Sequence, residues 1–230
     1  MPDAPTLQST VARYAKALAV PNALQQLHAR TPGRPSAGHM ALAPAVVMTS
    51  ISAFEGFVEE FVAVVGAKRG LSFAQIAKLA HYNSPSLKEF EQSLVSQLGS
   101  WRSPDWRPMW SLTVNDPPAL GGRSTWWGSK TLTWGEALDA AEGWLQVRHL
   151  LSHGLTRGYL PEVWPGPMKT GVAASDVLRP QSGGRHSLNF HGAISCARVF
   201  RHGAEALSEQ AALLLGERPP RWRAVPEFNM

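Results

Sequence analysis

Apolar residues recur at helical spacing in three stretches of this chain. Val47, Ile51, Phe54, Val58, Phe61 and Val65 alternate steps of four and three, and so do Ala193, Ala197, Phe200, Ala204, Leu207, Ala211 and Leu214. Such seams are the packing faces of bundle helices. A third stripe, Ala137, Ala141, Trp144 and Leu151, marks a helix over Trp134–Ser152 with Gly154 as its C-cap. Residues 5–29 read as one helix or two short ones broken near Pro21, and Pro32 to Gly38 as a linker. A short helix near Phe73 and another from Ser86 to Leu98 follow the first seam. Leu188 to Phe190 reads as a short strand in a small hairpin, and the tail from Glu217 as irregular. The expected fold is all-α, an up-and-down bundle of four to five long helices with room for one short β-hairpin. Its parts are an N-terminal helical extension and linker (1–38), a helical domain (39–216) and a tail (217–230).

One stretch breaks the apolar pattern, the Trp/Pro-rich insertion at about 100–133. Residues 101–134 hold six of the nine tryptophans, mixed with Pro104, Pro108, Pro117, Pro118, Arg102, Arg107 and Arg123. Packing onto the bundle is the expected role of most of these indoles. Trp126 and Trp127 are the candidates for stacking on bases.

The helix over 134–152 carries the candidate chemistry at its end. Arg148 falls on the apolar stripe, where a guanidinium is costly unless an anion or strong acceptor meets it. Glu55, beside Phe54 on the first seam, is the candidate partner. His153 lies five residues after Arg148, and His149 and Ser152 lie between or beside them. The bare Arg-x-x-x-x-His spacing is weak, since about 0.6 such pairs are expected by chance in a chain of this composition. A second copy, Arg34 to His39, sits among prolines and glycines where no helix can form. Only the Arg148 copy follows an amphipathic helix and precedes a glycine.

That context, Val-Arg-His-Leu-Leu-Ser-His-Gly, resembles the HEPN superfamily of helical nucleic-acid-processing domains. Ile51-Ser-Ala-Phe-Glu-Gly-Phe-Val-Glu-Glu-Phe61 resembles the first core helix of its RiboL-PSP-HEPN subgroup. The resemblance spans roughly residues 40–215 and is carried by these two segments. The residue after the Arg, often Asn or Asp in this family, is His149 here. The resemblance implies a metal-independent endoribonuclease that acts as a homodimer, with use as a toxin or in phage defence and an antitoxin or other partner protein. It implies no cofactor.

Residue chemistry agrees with that implication. With no convincing metal ligands, the nucleophile must come from the substrate, and RNA offers its 2′-OH. His153, with the reference pKa of about 6.5 for its type, is the candidate base. Arg148 suits charge building on the phosphate oxygens. Ser152 and His149 are candidates to position phosphate or protonate the leaving oxygen. Arg148 and His153 lie about 140° apart around a helix axis, so no single face is expected to present both, and two copies are expected to build one cleft.

Charge and composition narrow the partners further. At 44% hydrophobic and 17% charged, 230 residues can bury a real core. A net charge of +5 and a pI of about 9.7 fit a polyanion such as RNA, with Arg198, Arg201 and His202 on the last helix as a candidate phosphate-contacting face. The single Cys196 suits a reducing cytoplasm. No basic-apolar leader opens the chain, and Glu55, Glu59 and Glu60 argue against a membrane span within Leu42–Gly66. His149 and His153 have the spacing of a helical zinc pair, but Leu150 stands where a zinc peptidase needs Glu. Two rival readings remain: a non-catalytic HEPN-type scaffold that binds RNA or protein, and a helix-turn-helix DNA reader at 73–90.

Overall fold

The computed structural model describes residues 5–29, 41–80, 84–101, 105–121, 127–157, 160–167 and 171–229. In chain order these form α1 (Leu7–Ala17), α2 (Ala19–Ala29), α3 (Leu42–Lys68), α4 (Phe73–Leu79) and α5 (Leu87–Leu98). Strands β1 (Ser111–Asp116) and β2 (Gly128–Thr133) precede α6 (Trp134–Ser152). The short strands β3 (Arg179–Pro180) and β4 (His186–Ser187) then lead into α7 (Phe190–Leu214). The molecule is mostly helical, with two small antiparallel hairpins. The linker at 32–38, the Arg34–His39 copy and Trp126 lie outside the described residues.

All six apolar seam residues of α3 are fully buried. The helix packs chiefly on α7 and also on α1, α2, α4, α5 and α6. It is long and apolar enough to cross a membrane by length and composition alone, yet its apolar residues are spent on the hydrophobic core. Helix α7 is closed in on nearly every side, because β1, α5 and α6 cover what α3 leaves. Gly203 allows the closest of these approaches: a Cβ there would come within 2.6 Å of the Leu87 side chain on α5.

The two ends of the chain belong to the same core. Leu7, Val11, Tyr14 and Leu18 are buried, as are Trp222, Val225 and Phe228 of the tail. The tail is irregular in backbone, but Trp222 packs its ring edge-on to Tyr14 and Phe57. The break between α1 and α2 falls at Leu18, three residues before Pro21, which is tolerated in the first turn of the new helix.

The Trp-rich insertion holds a hairpin that the Pro and Gly content obscures. β1 pairs with β2 in register from Ser111↔Thr133 to Asp116↔Gly128. Leu112, Val114 and Leu132 point inward, the two-residue period of a strand pair with one buried face. Trp101, Trp106, Trp134 and Trp110 form a chain of edge-to-face contacts at 4.7 to 6.3 Å. Glu91 of α5 is 8% exposed and accepts the indole N–H of Trp101 at 3.0 Å and of Trp134 at 3.2 Å. Those rings therefore anchor the insertion to α5 and α6. The strand expected at Leu188–Phe190 is displaced to His186–Ser187, because Asn189 caps α7 through its side chain and Phe190 is already helical.

Candidate functional site

Helix α6 begins on a capping box in which Thr133 and Glu136 satisfy each other's backbone groups. Hydrogen bonds from Thr133 hold the Glu136 carboxyl below its usual range. The helix ends on a Schellman turn. Gly154 takes a positive φ of 65°, its N–H reaches Leu151 O at 3.1 Å, and Leu155 N–H reaches Leu150 O at 3.0 Å. His153, the C-cap, is thereby fixed at the end of the last turn.

The buried side of α6 runs through Trp134, Ala137, Ala141, Trp144, Val147 and Leu150. It passes beside Arg148, which stands at the rim. Its Nη2 donates to Glu55 Oε2 on α3 at 2.9 Å, and its Nη1 donates to Ser84 Oγ at 2.9 Å. The two side chains of the ion pair are 23% and 16% exposed, so both charges are largely withdrawn from water, and each supplies the partner the other needs. Ser84 holds its hydroxyl there from a left-handed backbone, φ 60°, an uncommon conformation for a residue with a side chain. Glu55 Oε1 and Arg148 Nε remain buried without a partner among the described residues.

Beside this clamp the His149 and His153 rings meet at 4.4 Å, tilted by 50°. Ser152 Oγ donates back to His149 O at 2.8 Å. Arg148, His149, Ser152 and His153 all border one cleft of about 1030 Å³, whose other wall includes Ser84, Ser86, Lys88, Glu89 and Gln92. Arg148 and His153 point from different sides of the helix, yet one cleft of a single chain borders both. The long Arg arm reaches sideways to α3, and His153 sits past the last full turn, so both reach the same opening. Chemically, the cleft offers a fixed cation and two imidazoles within one wall.

The residues expected to contact RNA elsewhere are not on this cleft. Arg201 is only 3% exposed. It pairs with Glu205, donates to His202 Nδ1 at 2.9 Å and lies 5.5 Å above the Trp222 ring. His202 is largely buried, and that burial pulls its pKa below the usual imidazole value. Arg198 donates from Nε to Thr113 O at 3.1 Å and from Nη1 to Glu227 O and Phe228 O at 3.0 Å. The expected phosphate-contacting face of α7 is therefore a structural clamp joining β1, α7 and the tail. What looked like an outer face is covered by the insertion and the tail. Trp127 stacks on His191 at 5.3 Å and borders a separate cavity with Trp144. Trp126 lies outside the described residues.

Sequence reasoning passed over Ser84, Asp139, Glu142 and Gln146, all of which border the Arg148 cleft. Ser84 left no signal, since a loop hydroxyl gains meaning only from what folds against it. The other three had one, a polar stripe at helical spacing. Among the described residues, no group of three or more His, Cys, Asp or Glu is placed to hold a metal ion. Comparison with family models, with characterised proteins and with solved structures finds no match for this chain.

Proposed function

We propose that this protein is a metal-independent endoribonuclease of the HEPN type, a cytoplasmic homodimer built on a helical bundle, working from the cleft at the end of α6. One observation carries the reading: a guanidinium locked by Glu55 and Ser84 beside two imidazoles in contact. A phosphodiester under attack needs a fixed positive charge for its oxygens and a base and acid for two proton transfers.

In the proposed reaction the 2′-oxygen of the substrate attacks the adjacent phosphorus, forming the P–O2′ bond as the P–O5′ bond breaks. Neutral His153 takes the 2′-OH proton, and His149, protonated, gives one to the departing 5′-oxygen. Arg148 meets the non-bridging oxygens with the N–H groups that Glu55 and Ser84 leave over. Its immobility is an advantage, because a charge already oriented costs no reorganisation at the transition state. Ser152 stands within reach as a further donor. The products are a 2′,3′-cyclic phosphate and a 5′-hydroxyl.

A second copy is part of the proposal. Leu155 and Val163, in the segment that follows α6, stand in solvent, and a two-fold contact there would join two clefts. Use as a toxin or in phage defence, with an antitoxin, belongs to the same proposal.

The test is incubation of purified protein with RNA in EDTA, with end-group analysis of the products. Cleavage giving cyclic phosphate, lost in His153→Ala and lost when the cleaved nucleotide is 2′-deoxy, is the expected result. Binding of RNA without cleavage would favour the scaffold reading instead. Light scattering at micromolar concentration is expected to give twice the 25.0 kDa chain mass. A monomer with full activity would remove the dimer from the proposal.

A further inference from the structure

Four polar residues of α6 and its C-cap follow one another at steps of three and four: Asp139, Glu142, Gln146, His149 and His153. That spacing gathers them on one helical face, and all five border the Arg148 cleft. The face is polar in a directed way, with carboxylates at its N-terminal end and imidazoles at its C-terminal end. Phosphate accounts for the imidazole end and is repelled by the other.

Gln146, between the two ends, is 7% exposed, and its amide makes no hydrogen bond among the described residues. The side chain lines the cleft, so its amide is left open to a ligand there. Glu142 lies one turn before it, so carboxylate and amide stand about 5–6 Å apart at their Cβ atoms. Together they make a compact reader with paired acceptors beside a donor.

We propose that Glu142 and Gln146 form a guanine-selective base subsite of this cleft, which rests on the ribonuclease reading for its consequence in cleavage but not for its binding. A guanine Watson–Crick edge presents N1–H and N2–H side by side for one carboxylate, and O6 for the amide N–H. Adenine, cytosine and uracil each place a ring acceptor or carbonyl where the carboxylate needs a second N–H. Single-stranded RNA exposes this edge, and proteins read it there by side-chain hydrogen bonds. From Glu142 to His149 the helix rises by about 10 Å, enough to seat a base at one end of the face and its phosphate at the other.

Calorimetric titration of the full chain with 3′-GMP, 3′-IMP, 3′-AMP and 3′-UMP tests this directly. IMP keeps O6 and N1–H and lacks only the 2-amino group. GMP is expected to bind about tenfold or more tighter than each of the others. Glu142→Gln is expected to bring GMP to the IMP level, and Gln146→Leu, which removes the contact to the O6 that both share, to weaken GMP and IMP alike, with melting temperature unchanged in each. Equal binding of GMP and IMP, no binding of any nucleotide, or a preference that survives Glu142→Gln overturns the proposal. A parallel cleavage assay on oligoribonucleotides separates the two readings. GMP preference without cleavage leaves the subsite standing and removes the ribonuclease; cleavage indifferent to the flanking base does the reverse.

Discussion

The Arg148–Glu55 pair sets a chemical problem at the residue scale, because each charge relies on the other in the folded protein and, in the proposed reaction, Arg148 also serves the chemistry. Replacing either member alone strands the other charge in a half-dry site. Glu55→Met or Arg148→Met is expected to cost about 2 kcal/mol, below the 3–5 kcal/mol of a fully buried pair because both side chains keep some exposure. The double Met variant should recover most of that stability, since two apolar side chains leave nothing unpaired. It should not recover cleavage. Urea melts read the first statement and the RNA assay the second; a double variant that still cuts RNA would take Arg148 out of the mechanism. His202 yields a prediction about pH. Burial lowers its folded pKa beneath the ordinary 6.5, so the unfolded chain binds the proton more readily. The stabilisation is therefore complete above about pH 6.5 and is lost as pH falls through and below that value. His202→Gln keeps an acceptor for Arg201 and removes the titration. Between pH 7.5 and 5.5 its melting temperature should fall less than that of the wild type, and parallel curves would show that His202 does not titrate in this way.

At the scale of elements, the end of α6 is a device for placing His153. The Schellman turn closes only if residue 154 accepts a positive φ, and Gly154 does so without a Cβ penalty. Gly154→Ala is expected to cost about 1–2 kcal/mol and to reduce cleavage more than stability, since it shifts the helix end that carries His153. A thermal melt with a cleavage rate on the same preparation checks both; equal activity in a destabilised protein would mean that His153 tolerates displacement. The hairpin β1–β2 works differently. Its link to the cleft is indirect, through Glu91 and the indoles that brace the start of α6.

Across the whole molecule, the two chain ends close the core that the three long helices open. Trp222, Val225 and Phe228 are buried against helices far away in sequence, and Glu227 and Phe228 offer their carbonyls to Arg198. Deleting residues 218–230 removes three buried side chains, a loss of about 5 kcal/mol or more, which rivals the total stability of an ordinary domain. The truncated chain is expected to lose cooperative unfolding in urea. A sharp transition at the wild-type midpoint would show the tail to be dispensable.

Much of this was legible in the order of residues alone. The seams of α3 and α7, the extent of α6, its glycine cap and the Glu55–Arg148 pairing follow from local periodicity and from the cost of burying an unpaired charge. Those forces act within a few turns of one helix or between two strong apolar faces. The candidate site was legible as a set of residue types, Arg148, His149, Ser152 and His153, though not as a cleft. What only the tertiary structure decided is which polar residues remain outside. Arg198, Arg201 and His202 read as a solvent face because their helix was considered by itself, and burial is decided by what later packs on it, here an irregular tail and a hairpin. In the same way Ser84 gains its meaning from a contact with Arg148, 64 positions away. Gln146 is one more polar position on a helix until the fold sets it on the cleft. Sequence patterning reports how each element would meet water; the fold determines how much water each one still meets.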